Sequence, residues 1–301
     1  MSLSNRLFTS SLPGLAVCAM ALVVGSPVAS ATVLTALQLN VYRDGDPTTW
    51  LAGNNLLLAD GFDNGDAYTG PAFPNGQAST YTLQGLAAGA DAALAVREQG
   101  GALLLDPLYG AVSANALGGM GHSLRLQLQT NVTDANSGLP RSRSFAAALV
   151  MPLTAMPDPL KSFGLRFSDG FSNNNDVIEL FVANQVAGQM IVFRKQEFVM
   201  PGITQLGSTP LAAPFGATSL VLSLSHPVAD TDTVFGRYGY LNAAGTLIGG
   251  MTTFATSTTV FNGELHTRVQ LRATAPVPEP AAWALFAVGL GLFAALRRVR
   301  V

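Results

Sequence analysis

Ser123-Leu124-Arg125-Leu126-Gln127-Leu128-Gln129-Thr130 decides the fold class. Successive side chains of an extended chain point to opposite faces, so Leu124, Leu126 and Leu128 share one face while Arg125, Gln127 and Gln129 share the other. Residues 265–272 repeat the pattern: Leu265, Thr267, Val269 and Leu271 face one way, His266, Arg268, Gln270 and Arg272 the other. A strand with its apolar face on a core and its polar face in water is the expectation for both. Further strand-length apolar runs fall at 37–42, 145–151, 162–167, 177–182, 190–195, 220–225 and 234–241. Gly, Asn and Asp cluster between them, as in Asp60-Gly61-Phe62-Asp63-Asn64-Gly65-Asp66 and Asn242-Ala243-Ala244-Gly245, supplying the positive φ and side-chain-to-backbone bonds of turns. Many short strands with regular punctuation predict an all-β fold, a β-sandwich of two antiparallel sheets or a barrel. Residues 86–95 are Ala-rich enough for one short helix, weakened by Gly89.

Charge and cysteine content narrow the function classes. Sixteen basic and eighteen acidic residues fall to twelve and seventeen once Arg6, Glu279, Arg297, Arg298 and Arg300 are set aside, so the body carries about five net negative charges. Lys161 and Lys195 are its lysines, and no basic stripe suited to nucleic acid is present. The single cysteine, Cys18, lies in the N-terminal apolar stretch, so the body can form no disulfide and must rely on an apolar core. Arg6, the apolar residues 12–24 and the small residues Ala29-Ser30-Ala31 have the order of a secretory signal peptide. Residues 1–31 are therefore expected to be cut off by signal peptidase after Ala31. An uncleaved anchor is the competing account, against which the apolar stretch is shorter than a bilayer span.

The C-terminal residues 276–301 hold a second address. Val277-Pro278-Glu279-Pro280 is followed by the uncharged apolar run 281–296, with Gly289 and Gly291, and then by Arg297-Arg298-Val299-Arg300. The run makes a transmembrane helix of roughly 24 Å at 1.5 Å per residue, marginal for a lipid core about 30 Å thick. The arginines stop on the cytoplasmic side and leave the body on the other face. The two prolines deny a helix its donors, so the segment ahead of the run is extended and open to a protease. This tail resembles the PEP-CTERM sorting domain, carried on Pro278, Glu279, Pro280, the glycine-containing helix and the terminal arginines. The resemblance implies recognition by an exosortase in an exopolysaccharide-producing Gram-negative bacterium. It also implies a transient stay in the inner membrane and delivery to the cell surface or extracellular matrix, an address rather than an activity.

The body, 32–275, is expected to form one domain, with a break near 136–140 as the alternative. Asp60-Gly61-Phe62-Asp63, the hairpin-like 177–195 and Tyr238-Gly239-Tyr240-Leu241-Asn242 before Gly245 resemble concanavalin A-like or LamG-like jelly-roll sandwiches. The Glu-x-Asp-x-x-Glu strand motif of the glucanase members is absent. His-Glu-x-x-His, Gly-x-Ser-x-Gly and Gly-x-x-x-x-Gly-Lys are absent too, removing the marks of zinc proteolysis, the esterase elbow and nucleotide binding. His122, His226 and His266 lie far apart and read as surface or strand-end residues. Asp176 and Glu179, three apart, fall on opposite faces of a strand and do not form an acid and base pair.

Two acidic loops offer oxygen ligands to a hard cation such as calcium: Asp60, Asp63, Asn64 and Asp66, and Asp169, Asn173, Asn174, Asn175 and Asp176. Neither has the EF-hand spacing, and the plainer account of each is a solvated turn bonded to its own backbone. No other cofactor is expected. Trp50, Tyr68, Phe73, Phe171, Tyr238 and Tyr240 are candidates for stacking on sugar rings, against an ordinary place in the core. Tyr68 and Phe73 stand out, since their loop also holds Pro71 and Pro74. The leading expectation is a non-enzymatic surface or matrix protein with exopolysaccharide as its ligand class. A polysaccharide hydrolase whose carboxylates meet only in the fold is the alternative, and a structural or ice-surface role is a third.

Overall fold

The computed structural model describes residues 33–43, 55–63, 81–113, 123–130, 139–140, 142–169, 176–197, 202–227, 233–254, 258–259 and 266–277. The first strands are β1 (Leu34–Ala36), β2 (Gln38–Arg43), β3 (Asn55–Asp60) and β4 (Tyr81–Gln84). A single helical turn, α1 (Ala92–Ala95), follows, capped by the Asp91 carboxylate on the Ala93 N–H; it is the short helix expected within 86–95. Next come β5 (Val96–Glu98), β6 (Leu103–Leu105), β7 (Ala111–Ser113), β8 (Ser123–Thr130), β9 (Leu139–Pro140) and β10 (Phe145–Pro152). The longer strands are β11 (Ser162–Asp169), β12 (Val177–Gln185), β13 (Gly188–Glu197), β14 (Gly202–Pro210), β15 (Ala217–His226) and β16 (Thr233–Asn242). The chain continues through β17 (Leu247–Thr253), β18 (Thr258–Thr259) and β19 (His266–Pro276).

Two large antiparallel sheets carry the fold. One runs β17-β16-β15-β10-β2-β3, with β18 on β16; the other runs β14-β13-β12-β11-β19-β8-β4, with β7 on β8 and β9 on β19. A small third sheet joins β1, β6 and β5. The alternating leucines explain the arrangement. Leu126 and Leu128 of β8, Phe163, Leu165 and Phe167 of β11, and Val269 and Leu271 of β19 share one core with Leu39 and Val41 of β2, Phe145 and Leu149 of β10, and Leu220, Leu222 and Leu224 of β15. Phe145 and Phe167 meet across the two sheets at 5.4 Å between ring centroids. This is a β-sandwich, and each strand run expected from the sequence is a strand in it.

One expectation fails. The polar faces of β8 and β19 are not in water: Gln127, Gln129, Gln270 and Arg272 are all buried, as are Glu179 of β12 and Arg194 of β13 beside them. The nine-stranded sheet therefore has an apolar face toward the core and a desolvated polar face opposite. The outer face of the other large sheet is buried too, through Tyr42, Ala146, Ala148, Val150, Val221 and Leu241. Among the described residues no helix is long and apolar enough to cross a membrane. The expected signal peptide, 1–31, and the apolar run 281–296 lie outside them.

Candidate functional site

The buried polar face of the nine-stranded sheet is the site with the most unusual chemistry. Antiparallel register places Arg194, Glu179, Arg166, Gln270 and Gln129 opposite one another on β13, β12, β11, β19 and β8. The next rung holds Phe181, Gly164, Arg272 and Gln127, and the one after it Ser162, Thr274 and Arg125. Side chains on one face of neighbouring strands are within reach of one another, so five separated segments build one polar layer.

Glu179 is its centre. Arg194 donates through Nε to Oε2 at 2.7 Å, Arg272 donates through Nη1 to Oε1, and Arg166 stands with its Nε 3.8 Å from Oε1. Arg272 belongs to the neighbouring rung, opposite Gly164. The missing side chain at Gly164 lets the β12 backbone at Leu180 and Phe181 approach closely. Arg194 also lies over the Phe181 ring, 4.8 Å from its centroid. To one side, Gln84 and Gln270 both donate to the Gln129 amide oxygen, at 3.2 and 3.1 Å, and the Ser162 and Thr274 hydroxyls are bonded at 2.6 Å.

Burial pushes the Glu179 carboxyl up, but Arg194, Arg272 and Arg166 outweigh it and hold the group well below the usual carboxylate range. Burial lowers Arg166 to about 9 despite Glu179, helped by repulsion from Arg272, Arg125 and Arg194. Arg272 and Arg125 are lowered by burial as well, only partly offset by Glu179. These directions agree physically: one carboxylate is shared by more cations than it can neutralise. Beside it, Ser162, Gly164, Leu165, Glu179, Phe181, Arg194 and Arg272 line a cavity with room for about one water molecule.

The residues expected to form sites fall elsewhere. Asp60 ends β3; its carboxylate accepts from the Tyr81 hydroxyl at 2.6 Å and from the Phe62 N–H at 2.8 Å, which fixes the turn that drives Phe62 into the core at φ 51°. Asp63 is exposed, and Asn64, Asp66, Tyr68 and Phe73 lie outside the described residues. In the second acidic loop Asp169 ends β11 and Asp176 is buried just before β12, while Asn173, Asn174 and Asn175 lie outside. Among the described residues no cluster of His, Cys, Asp and Glu suited to a metal ion forms.

Of the aromatic candidates, Tyr240 is buried in the core and Tyr238 packs on Phe254 at 5.7 Å; Trp50 and Phe171 lie outside the described residues. His226 is a strand-end residue as expected but not a surface one: it is buried, with Nδ1 2.9 Å from the Thr233 carbonyl. His266 opens β19, and His122 is outside. Of the expected sorting motif, Val277 is described; Pro278, Glu279, Pro280, Arg297, Arg298 and Arg300 are not.

No family model matches this chain, and no curated protein matches it. Among solved structures it is similar to the carbohydrate recognition domain of Emp47p, at 11% identity and a TM-score of 0.38, over 70% of this chain and 85% of that one.

Proposed function

We propose that the chain is an exported bacterial cell-surface or matrix protein, sorted by an exosortase through its tail, whose β-sandwich recognises exopolysaccharide without turning it over. The observation that carries this reading is the meeting of fold and address. β19, an interior strand of the nine-stranded sheet, ends at Pro276, and the sorting motif Val277-Pro278-Glu279-Pro280 begins at the next residue. Cleavage at or near that motif would release the sandwich whole. Signal peptidase would remove 1–31, the apolar run 281–296 would hold the chain in the inner membrane until the cut, and a sandwich of two antiparallel sheets fits the same reading. The loop of Asp60, Asp63, Asn64 and Asp66 is the place for calcium if a cation is used, and Tyr68 and Phe73 are the rings for a sugar to stack on.

Glu179 argues against hydrolysis on the polar face. A carboxyl held ionised by three arginines cannot serve as the proton donor a glycosidase needs. The test is the full chain, with tags ahead of Val277 and after Val301, made in an exopolysaccharide-producing Gram-negative host. The body tag should reach the surface or medium without the terminal tag, and the P278A/E279A variant should remain uncut in the inner membrane. The released body should be retained on the host polysaccharide without generating reducing ends. Recovery from the cytosol with both ends intact would overturn the export reading, and new reducing ends would overturn the non-catalytic one.

A further inference from the structure

Arg272 spends only part of its guanidinium. Nη1 goes to Glu179, whereas Nε and Nη2 are buried and have no hydrogen-bond partner among the described residues. Those two nitrogens form one edge of the planar group, the edge that grips an anion with two parallel N–H donors. The Arg166 Nε is also buried without a hydrogen-bond partner. The nearest compensation is overcommitted: Arg166, Arg194 and Arg272 all act on Glu179, and the same carboxylate is what offsets burial at Arg125, Arg166 and Arg272. Among the described residues, Arg166, Arg194 and Arg272 with Glu179, all ionised, leave two positive charges without a counter-charge in a largely desolvated layer, an arrangement that costs stability unless an anion enters.

Room for that anion is present and small. Gly164, Arg272, Arg194 and Glu179 are among the walls of the cavity. We infer that this cavity is an anion site, taking one halide-sized ion such as chloride against the free edge of Arg272. Size limits the class: a space for about one water has no room for sulfate, acetate or a sugar acid, and a single-atom ion is the anion nearest to it in size. The site is independent of the polysaccharide reading, because no polymer can enter it.

The test uses the full chain in sodium gluconate, titrated with chloride or bromide at constant ionic strength. Both halides should raise Tm saturably, by about 5–10 °C at a hundredfold excess over Kd. Sulfate and acetate should give no saturable rise, only the shallow, roughly linear effect of an excluded salt. Arg272→Lys, which keeps the charge and loses the two-donor edge, should abolish the halide-dependent part of the shift. A crystal of the unsubstituted protein grown with bromide gives a readout independent of that variant's folding, and its anomalous peak should lie beside Arg272 Nε and Nη2. Equal stabilisation by every salt, or a water or nothing at that position in the bromide crystal, would overturn the site.

Discussion

At the scale of single residues the polar layer depends on Glu179. Its charge is the shared acceptor for Arg194 and Arg272, so Glu179→Gln keeps the shape and leaves guanidinium groups buried without their counter-charge. Removing one partner of a buried ion pair costs about 3–5 kcal/mol, far more than the loss of an exposed pair. The variant should therefore unfold at clearly lower urea than the parent at pH 7. The pH dependence follows from the same contacts. Because the folded pKa of Glu179 lies below its ordinary value of 4.5, the unfolded chain takes up this proton first as acid is added. The stabilisation is thus fully present above about pH 4.5 and drains away as pH falls toward the folded value. Urea midpoints measured from pH 7 to pH 3 should fall steeply for the parent and less steeply for Glu179→Gln; equal slopes would remove Glu179 from the acid limb.

At the scale of elements the decisive device is a glycine in a strand. Gly164 of β11 faces Phe181 on one neighbouring strand and Arg272 on the other, and a Cβ there would fall inside van der Waals contact with the β12 backbone at Leu180 and Phe181. Gly164→Ala should cost about 1–3 kcal/mol through overpacking, by displacing β12 and with it Glu179. Chemical denaturation measures the loss, and an unchanged midpoint would show that the strands yield freely. Nothing in the sequence around Gly164 announces this role, because it depends on register with two strands far along the chain. The same limit explains which elements were legible. β8, β19 and most of β15 were plain because their apolar residues alternate with polar ones, and β10 because a strand buried on both faces reads as a continuous apolar run. β14, Gly-Ile-Thr-Gln-Leu-Gly-Ser-Thr-Pro, is exposed along most of its length at a sheet edge and has no apolar rhythm to find. The Arg and Gln positions of β8 and β19 were assigned to the correct face but to the wrong solvent. Alternation reports which residues share a face; it does not report whether that face meets water.

At the scale of the whole molecule the order of strands decides what can be removed. β19 is the last strand in sequence, yet it lies between β11 and β8 inside the nine-stranded sheet. It is hydrogen-bonded on both edges, with Phe163 to Leu165 on one side and Leu126 to Leu128 on the other. Its inward residues Val269, Leu271 and Ala273 belong to the shared core, and its outward Gln270 and Arg272 belong to the polar layer. A chain that stops before it loses both pairings, a row of the core and one of the cations on Glu179, a deficit far beyond the 5–15 kcal/mol that holds a typical domain folded. A chain that stops at Val277 loses none of these. Two truncations of the chain from residue 32, one ending at Val277 and one at Gly263, should therefore behave oppositely. The first should melt within a few degrees of the full chain, and the second should show no cooperative transition by circular dichroism. A folded product ending at Gly263 would mean that β19 is an addition to the sheet rather than part of its centre. Loss of folding in the product ending at Val277 would mean that the sandwich depends on residues 278–301, and the proposed release at Val277-Pro278-Glu279-Pro280 would then destroy the protein that it is proposed to free.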